Sequence, residues 1–191
     1  MGAGQRTMST KVMERLSFAR RRLSDLKELG DAGLMSNADD RQQLLQEFLF
    51  HLVGSVQFLA QEVNRSRGLN IPAEDVLPWK VGKRLKGDKL IKDLLGQLHP
   101  ETRNKPLPSD PYSPKGMHFR TILMRNYVCH VGMERFLFRI GTSPPVSLYF
   151  DYRDPNRGHS NKHALSELEE FHSLVETKCK RVLELLTKTT P

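Results

Sequence analysis

Apolar residues recur every three or four positions along most of this chain, and this spacing predicts helices. The first predicted helix spans about 9–29, because its apolar residues form one stripe and Gly30 follows them. The second begins after Ser36 and Asn37, which can cap it, and it runs to about Asn64. Its apolar face is broad, which predicts a central place in the fold.

Three more segments have the same helical spacing. The third predicted helix spans about 79–98 and has a possible break at Gly87, the fourth spans 118–140, and the last spans 162–187. Between the third and fourth helices, residues 100–114 contain five prolines, so this stretch is predicted to be an extended loop.

A short apolar and aromatic run at 146–152 is typical of a strand or hairpin, and turn-forming residues follow it. The pattern as a whole predicts an all-α fold, a bundle of about five helices with a small extended or hairpin-like insertion near 146–160. We interpret 1–191 as a single domain with a core at about 9–140 and a C-terminal extension at 141–191.

The composition adds a net positive charge to this helical picture. Hydrophobic residues make up 38% of the 191 residues and charged residues 27%, which is typical of a globular protein. Lys and Arg number 30 against 22 Asp and Glu, which gives a formal net charge of +8. Such an excess favours a polyanionic partner, chiefly nucleic acid, although a basic protein with no such partner is the alternative.

The positive charge is concentrated on the third predicted helix, which has one apolar face and one strongly basic face. We interpret the basic face as a phosphate-contact surface, with an ordinary solvated helix face as the alternative. Trp79 can stack on a nucleic-acid base, although a lone tryptophan more often lies in the core. The candidate RNA-binding residues, which include one arginine from the fourth helix, are Lys80, Lys83, Arg84, Lys86 and Arg120.

The two cysteines, Cys129 and Cys179, are far apart and form no CxxC pair, so we predict no structural zinc site and no other metal or cofactor. Both fall on apolar helical faces, which indicates buried thiols in a reducing compartment. No apolar run is long enough to span a bilayer, and residues 1–10 lack the apolar segment of a signal peptide. We therefore expect a cytoplasmic protein with no membrane association.

One polar motif interrupts the apolar pattern of the fourth helix, from Arg125 through Asn126 to His130. Similar Arg-to-His spacings recur twice between 153 and 163, but there the sequence favours turns. In a helix, Asn126 and His130 share one face, and the long side chain of Arg125 can reach the same face. The three side chains can therefore line one cleft, while a helix-surface trio or a satisfied buried network is the alternative.

The order Arg-Asn-x-x-x-His in this motif resembles the pattern of the HEPN superfamily (higher eukaryotes and prokaryotes nucleotide-binding domains). These are small all-helical domains of toxin–antitoxin pairs, abortive-infection proteins and the nuclease parts of RNA-guided effectors. Arg125, Asn126 and His130 fill the three motif positions in order. The resemblance covers about 9–140 in predicted architecture.

The resemblance implies a metal-independent endoribonuclease, in which the ribose 2′-hydroxyl attacks the adjacent phosphate. His130 is then the general acid or base, Arg125 holds the phosphate, and Asn126 orients the histidine or the phosphate. Only one convincing motif occurs in this chain, so the composite site of the family implies a homodimer. The family also implies a setting in antiviral defence or as a toxin, with a possible neutralising or regulatory protein partner.

Two other functions stay open on the sequence: a non-catalytic HEPN-like module that binds RNA or protein, and a purely structural helical protein. Enzymes of other classes have little support. The sequence contains no Gly-rich phosphate loop, no HExxH, no GxSxG and no paired carboxylates in a catalytic arrangement.

Overall fold

The computed structural model describes residues 3–36, 38–99, 110, 113, 116–122, 125, 136–140, 146–150 and 163–188. For 3–9, 31–35, 38 and the two strands, it describes the backbone alone. In chain order the elements are α1 (Ala3–Ser36), α2 (Ala38–Ser66), a 3-10 turn (Ala73–Asp75), α3 (Pro78–Arg84), α4 (Lys89–Leu98), α5 (helical at 116–122), β1 (Phe136–Ile140), β2 (Val146–Phe150) and α6 (Ala164–Lys188).

The fold is an all-α bundle, as the hydrophobic spacing predicts. Helix α2 is at its centre: it packs along α1, and α6 lies against both of them and against α4. Phe48, Leu52 and Leu59 of α2 are fully buried in the shared core. No helix within the described part of the chain is both long and apolar enough to cross a bilayer.

Glycines break the helices at two of the predicted places. At Gly30 the backbone adopts φ 59° and ψ 178°, so α1 kinks where the sequence predicts its end, and the helix then continues to Ser36. The predicted third helix is divided into α3 and α4, and Gly87 between them has φ 89°. A positive φ is strained for residues with a Cβ atom, so glycine suits both positions.

The hairpin begins earlier in the chain than predicted. Residues 136–140 form β1, which pairs antiparallel with β2, from Phe136 opposite Phe150 to Ile140 opposite Val146. The prediction that helix continues to Ile140 is therefore wrong. A short apolar run fits a helix and a strand equally well, and here pairing with β2 decides between them.

Helix α6 belongs to the same core as the preceding helices. Phe171, Val175 and Cys179 of α6 are buried within it. His172 is 4% exposed and donates from Nε2 to the carbonyl oxygen of Leu16 at 3.0 Å, so it packs against α1. The predicted extension at 141–191 thus contains a helix of the bundle itself.

Candidate functional site

Trp79 is on the outer side of α3, where its side chain is 45% exposed. The alternative interpretation of Trp79 as a core residue is wrong, because Pro78, Val81 and Gly82 occupy the buried face of the helix. The Nζ atom of Lys83 is 4.8 Å from the centre of the indole ring. A cation at this distance over an aromatic face is attracted to it, so the ring and the ammonium group form one surface.

The predicted RNA-binding cations on and after α3 differ in their exposure and in their ion pairing. Lys80 is half-buried and forms an ion pair with Asp75. Lys83, Arg84 and Lys86 are exposed, and within the described ranges no carboxylate pairs with any of them. These three cations are therefore better placed than Lys80 to meet a phosphate.

A groove with a volume of about 330 Å³ lies beside Trp79, and Asn70, Ile71 and Lys83 contribute to its lining. Its wall is fixed by Asn64, whose Nδ2 donates to the carbonyl oxygen of Ile71 at 2.9 Å and whose Oδ1 accepts from the Ile71 amide at 3.2 Å. The side-chain amide of Asn64 thus pairs with the backbone of Ile71 as another peptide group would, and this pairing holds the turn after α2 in place. The turn that lines this side of the groove is therefore held by hydrogen bonds of the chain itself.

The base of the α3 region is held by an ion pair between the end of α2 and the start of α4. Both Nε and Nη2 of Arg67 donate to one carboxylate oxygen of Asp88, at 3.0 and 2.9 Å. Asp88 directly precedes α4. The segment that carries Trp79 and the exposed cations therefore starts and ends at fixed points.

Arg120 does not belong to this surface, and its prediction as an RNA contact is wrong for this fold. Its side chain on α5 is 2% exposed and pairs with Glu167 of α6, which is fully buried. Its Nη1 also lies 3.5 Å from the sulfur of Met117. The positive charge of Arg120 is therefore paired with a carboxylate inside the bundle.

Of the predicted catalytic residues, the structure describes Arg125 alone; Asn126 and His130 lie outside the described residues. Arg125 is helical and half-buried. Burial lowers the pKa of His99, a backbone hydrogen bond at His99 opposes this, and the charge of Arg125 lowers the pKa further. The sequence pattern does not single out His99, because it belongs to no motif and the charge of Arg125 acts on it only in the folded chain.

A second group of polar atoms is enclosed between α5 and α6. His118 is 1% exposed, and burial together with the charge of Lys178 lowers its pKa to about 3. Within the described part of the chain, neither His118 Nε2 nor Lys178 Nζ finds a hydrogen-bond partner. A neutral imidazole is thus kept in the interior where a charged one is strongly disfavoured.

This histidine predicts a loss of stability in acid. The unfolded chain takes up a proton at His118 near pH 6.5, whereas the folded chain resists it until about pH 3. Stability therefore falls as the pH drops below about 6.5, and His118 accounts for about 2 kcal/mol of this loss at pH 5. Urea unfolding of wild type and His118→Leu at pH 7.5 and pH 5 measures the difference. An equal loss in both proteins contradicts the assignment.

Among the described residues, no three His, Cys, Asp or Glu side chains come together in a way that could hold a metal ion. No family model, no curated protein and no solved structure matches this chain. Its function is therefore argued from its own residues.

Proposed function

We propose that this protein binds single-stranded RNA and cuts it as a metal-independent endoribonuclease of the HEPN type. The observation that carries the proposal is the exposed Trp79, with the ammonium group of Lys83 at 4.8 Å and further unpaired cations beside it. The cleavage step is supported by the resemblance of the motif from Arg125 to His130.

The chemistry of this surface suits an unpaired strand. Every nucleobase has a flat face that stacks on an aromatic ring, and such stacking is worth about 1–3 kcal/mol per base. Lys83, Arg84 and Lys86 supply charge for the phosphates on either side of the stacked base. The net charge of +8 attracts RNA from a distance.

The proposed cleavage requires two proton transfers. As the 2′-oxygen forms its bond to phosphorus, one histidine accepts the hydroxyl proton. As the bond from phosphorus to the 5′-oxygen breaks, a second histidine donates a proton to that oxygen, which leaves a cyclic phosphate and a 5′-hydroxyl. Arg125 stabilises the added negative charge on the phosphate, and Asn126 orients His130 or the phosphate.

We propose that the second histidine is His130 of another copy of the chain, in a two-fold homodimer. We further propose a cytoplasmic location, a role in antiviral defence or as a toxin, and a possible neutralising or regulatory protein partner. Cys179 suits a reducing compartment, because it is a free thiol whose burial raises its pKa to about 12.

A second candidate function is a non-catalytic module that binds RNA or protein. The same observation favours it, because the surface around Trp79 needs no catalytic group to bind a strand. Salt-dependent RNA binding without any turnover distinguishes this module from the enzyme.

We call the exposed surface formed by Trp79, Lys83, Arg84 and Lys86 the α3 surface. It predicts the effect of two substitutions on RNA affinity. Trp79→Ala removes the stacking ring and is expected to weaken binding roughly 5- to 100-fold. Lys83→Ala is expected to reduce the slope of log affinity against log salt by roughly 0.7, the value for one phosphate contact on a single strand. Fluorescence anisotropy with a labelled 2′-O-methyl oligouridine measures both, since this strand lacks the attacking hydroxyl and stays intact.

The matched control is Arg181→Ala, which removes one exposed positive charge from α6, where Arg181 pairs with Glu184 at 3.1 Å. It is expected to leave the affinity close to that of wild type. The assignment of the α3 surface fails if Trp79→Ala binds as tightly as wild type and Lys83→Ala behaves like Arg181→Ala.

A further inference from the structure

A second cluster of aromatic rings is on the outside of the α1–α2 pair. It consists of Phe18 from α1 and of Phe50, His51 and Phe58 from α2, and we call it the aromatic patch. Phe18 is 39% exposed and Phe50 is 59% exposed. Exposed phenyl rings that lie together on a helical surface are unusual unless something covers them.

The rings of the aromatic patch hold one another in fixed positions. Phe18 stacks on His51 with 5.1 Å between ring centres and an angle of 25° between planes. Phe50 meets the same imidazole edge-on at 5.5 Å and 69°. The patch therefore presents ordered rings rather than separate flexible side chains.

Two arginines are set among these rings. The Arg15 guanidinium lies 5.3 Å from the centre of Phe50 and 5.4 Å from the centre of Phe58, and the Arg21 guanidinium lies 4.4 Å from the centre of Phe18. Each exposed phenyl ring thus has a cation beside it. Cations placed between aromatic faces are typical of surfaces that bind single-stranded nucleic acid.

The imidazole at the centre of the patch is neutral. Arg15 Nη1 lies 2.9 Å from His51 Nδ1, and because arginine only donates, Nδ1 accepts. Burial lowers the pKa of His51, the charge of Arg15 lowers it further, and Glu47 opposes them. The positive charge of the patch therefore belongs to its arginines.

Glu47, the acidic residue whose charge acts on His51, is already engaged. Glu47 forms an ion pair with Arg22 Nε at 3.3 Å and accepts a hydrogen bond from Gln43 at 3.0 Å, and Arg22 also lies 3.0 Å from Asp25. Within the described residues, Arg15 and Arg21 have no carboxylate partner, and Lys11 adds a third cation, 5.9 Å from the Phe58 ring. The patch as a whole is positive.

We propose that the aromatic patch is a second binding surface for single-stranded RNA, on which Phe50 stacks with a base while Arg15 and Arg21 contact neighbouring phosphates. This inference rests on the proposed function, since it assumes that RNA is the ligand of the α3 surface. An apolar protein partner fits less well, because it has to desolvate both guanidinium groups without supplying an acid. A strand supplies flat rings and negative charge together.

The first test replaces Phe50 by alanine and measures affinity for labelled 2′-O-methyl oligouridine by anisotropy. Binding is expected to weaken roughly fivefold or more, and Phe50→Trp is expected to restore it, because it returns a stacking face. Leu90→Ala is the control, since Leu90 is an exposed apolar residue on α4, 49% exposed and outside the patch. Wild-type affinity in Phe50→Ala overturns the proposal.

The second test uses a local signal and does not depend on how Phe50→Ala folds. Trp79 is the single tryptophan of the chain, so the double variant Phe50→Trp, Trp79→Phe emits from position 50 alone. Added oligouridine is expected to quench this emission, as it is expected to quench Trp79 in wild type.

The outcomes separate the two proposals. Quenching in wild type but not in the double variant overturns the aromatic patch and leaves the α3 surface standing, while quenching in neither protein contradicts both. If Phe50→Ala instead shifts the protein to a smaller species in sedimentation and keeps its RNA affinity, the patch is an interface between copies of the chain and the proposal is wrong.

Discussion

His130→Ala is expected to abolish cleavage of single-stranded RNA, with a loss of at least about a hundredfold in rate, because it removes the group that carries the proton. Arg125→Ala is expected to lose activity for a different reason, since the phosphate then lacks its bidentate cation. A fluorogenic oligoribonucleotide measures the rate, and sedimentation checks that each variant keeps the oligomeric state of the wild type. Arg181→Ala again serves as the control for a lost surface charge.

A composite site between two chains also predicts how activity depends on the fraction of wild-type chains in a mixture. If each site needs a histidine from both chains, mixing wild type with His130→Ala under subunit exchange reduces activity as the square of the wild-type fraction, whereas independent sites give a straight line. Chelator is expected to leave the rate unchanged. Full activity in both single variants contradicts the choice of residues, and cleavage that stops with chelator contradicts the mechanism.

Glu167→Ala is expected to destabilise the bundle by about 3–5 kcal/mol, because it removes the carboxylate that pairs with the buried Arg120 guanidinium. The two side chains are 0% and 2% exposed, so water cannot replace the lost partner. Urea unfolding followed by circular dichroism measures the change. The effect is large beside the total stability of a typical domain, about 5–15 kcal/mol.

Two further variants show whether burial is the cause. Glu169→Ala breaks the Lys27–Glu169 pair, whose side chains are 45% and 48% exposed, and it is expected to cost less than about 1 kcal/mol. The double variant Arg120→Met, Glu167→Leu removes both buried charges and is expected to be more stable than Glu167→Ala. Equal losses for Glu167→Ala and Glu169→Ala contradict this account.

Local patterns in the sequence predicted much of the bundle. The broad apolar face of α2 predicted its central place, because helical periodicity directly reflects which face is buried. Gly87 predicted the break between α3 and α4, because a positive φ there suits glycine. Both features depend on residues close together in the chain.

Features that depend on distant partners could not be predicted in this way. Arg120 is buried because Glu167 meets it from a helix much later in the chain, and no spacing shows this. Strand β1 forms because β2 pairs with it, and the charge of Arg125 acts on His99 only in the folded chain. Trp79 is exposed because smaller neighbours occupy the buried face of α3.

The pair between Arg67 and Asp88 turns residues 68–87 into a loop that is closed at its base. The ion pair joins the two ends of this loop. Opening the loop while the pair stays intact therefore gains less conformational entropy than opening an unconstrained chain of the same length. We therefore expect the segment that carries the α3 surface to open as one cooperative unit rather than residue by residue. Under the proposed function, this local opening, separate from the global stability of the bundle, then sets how readily the surface receives a strand.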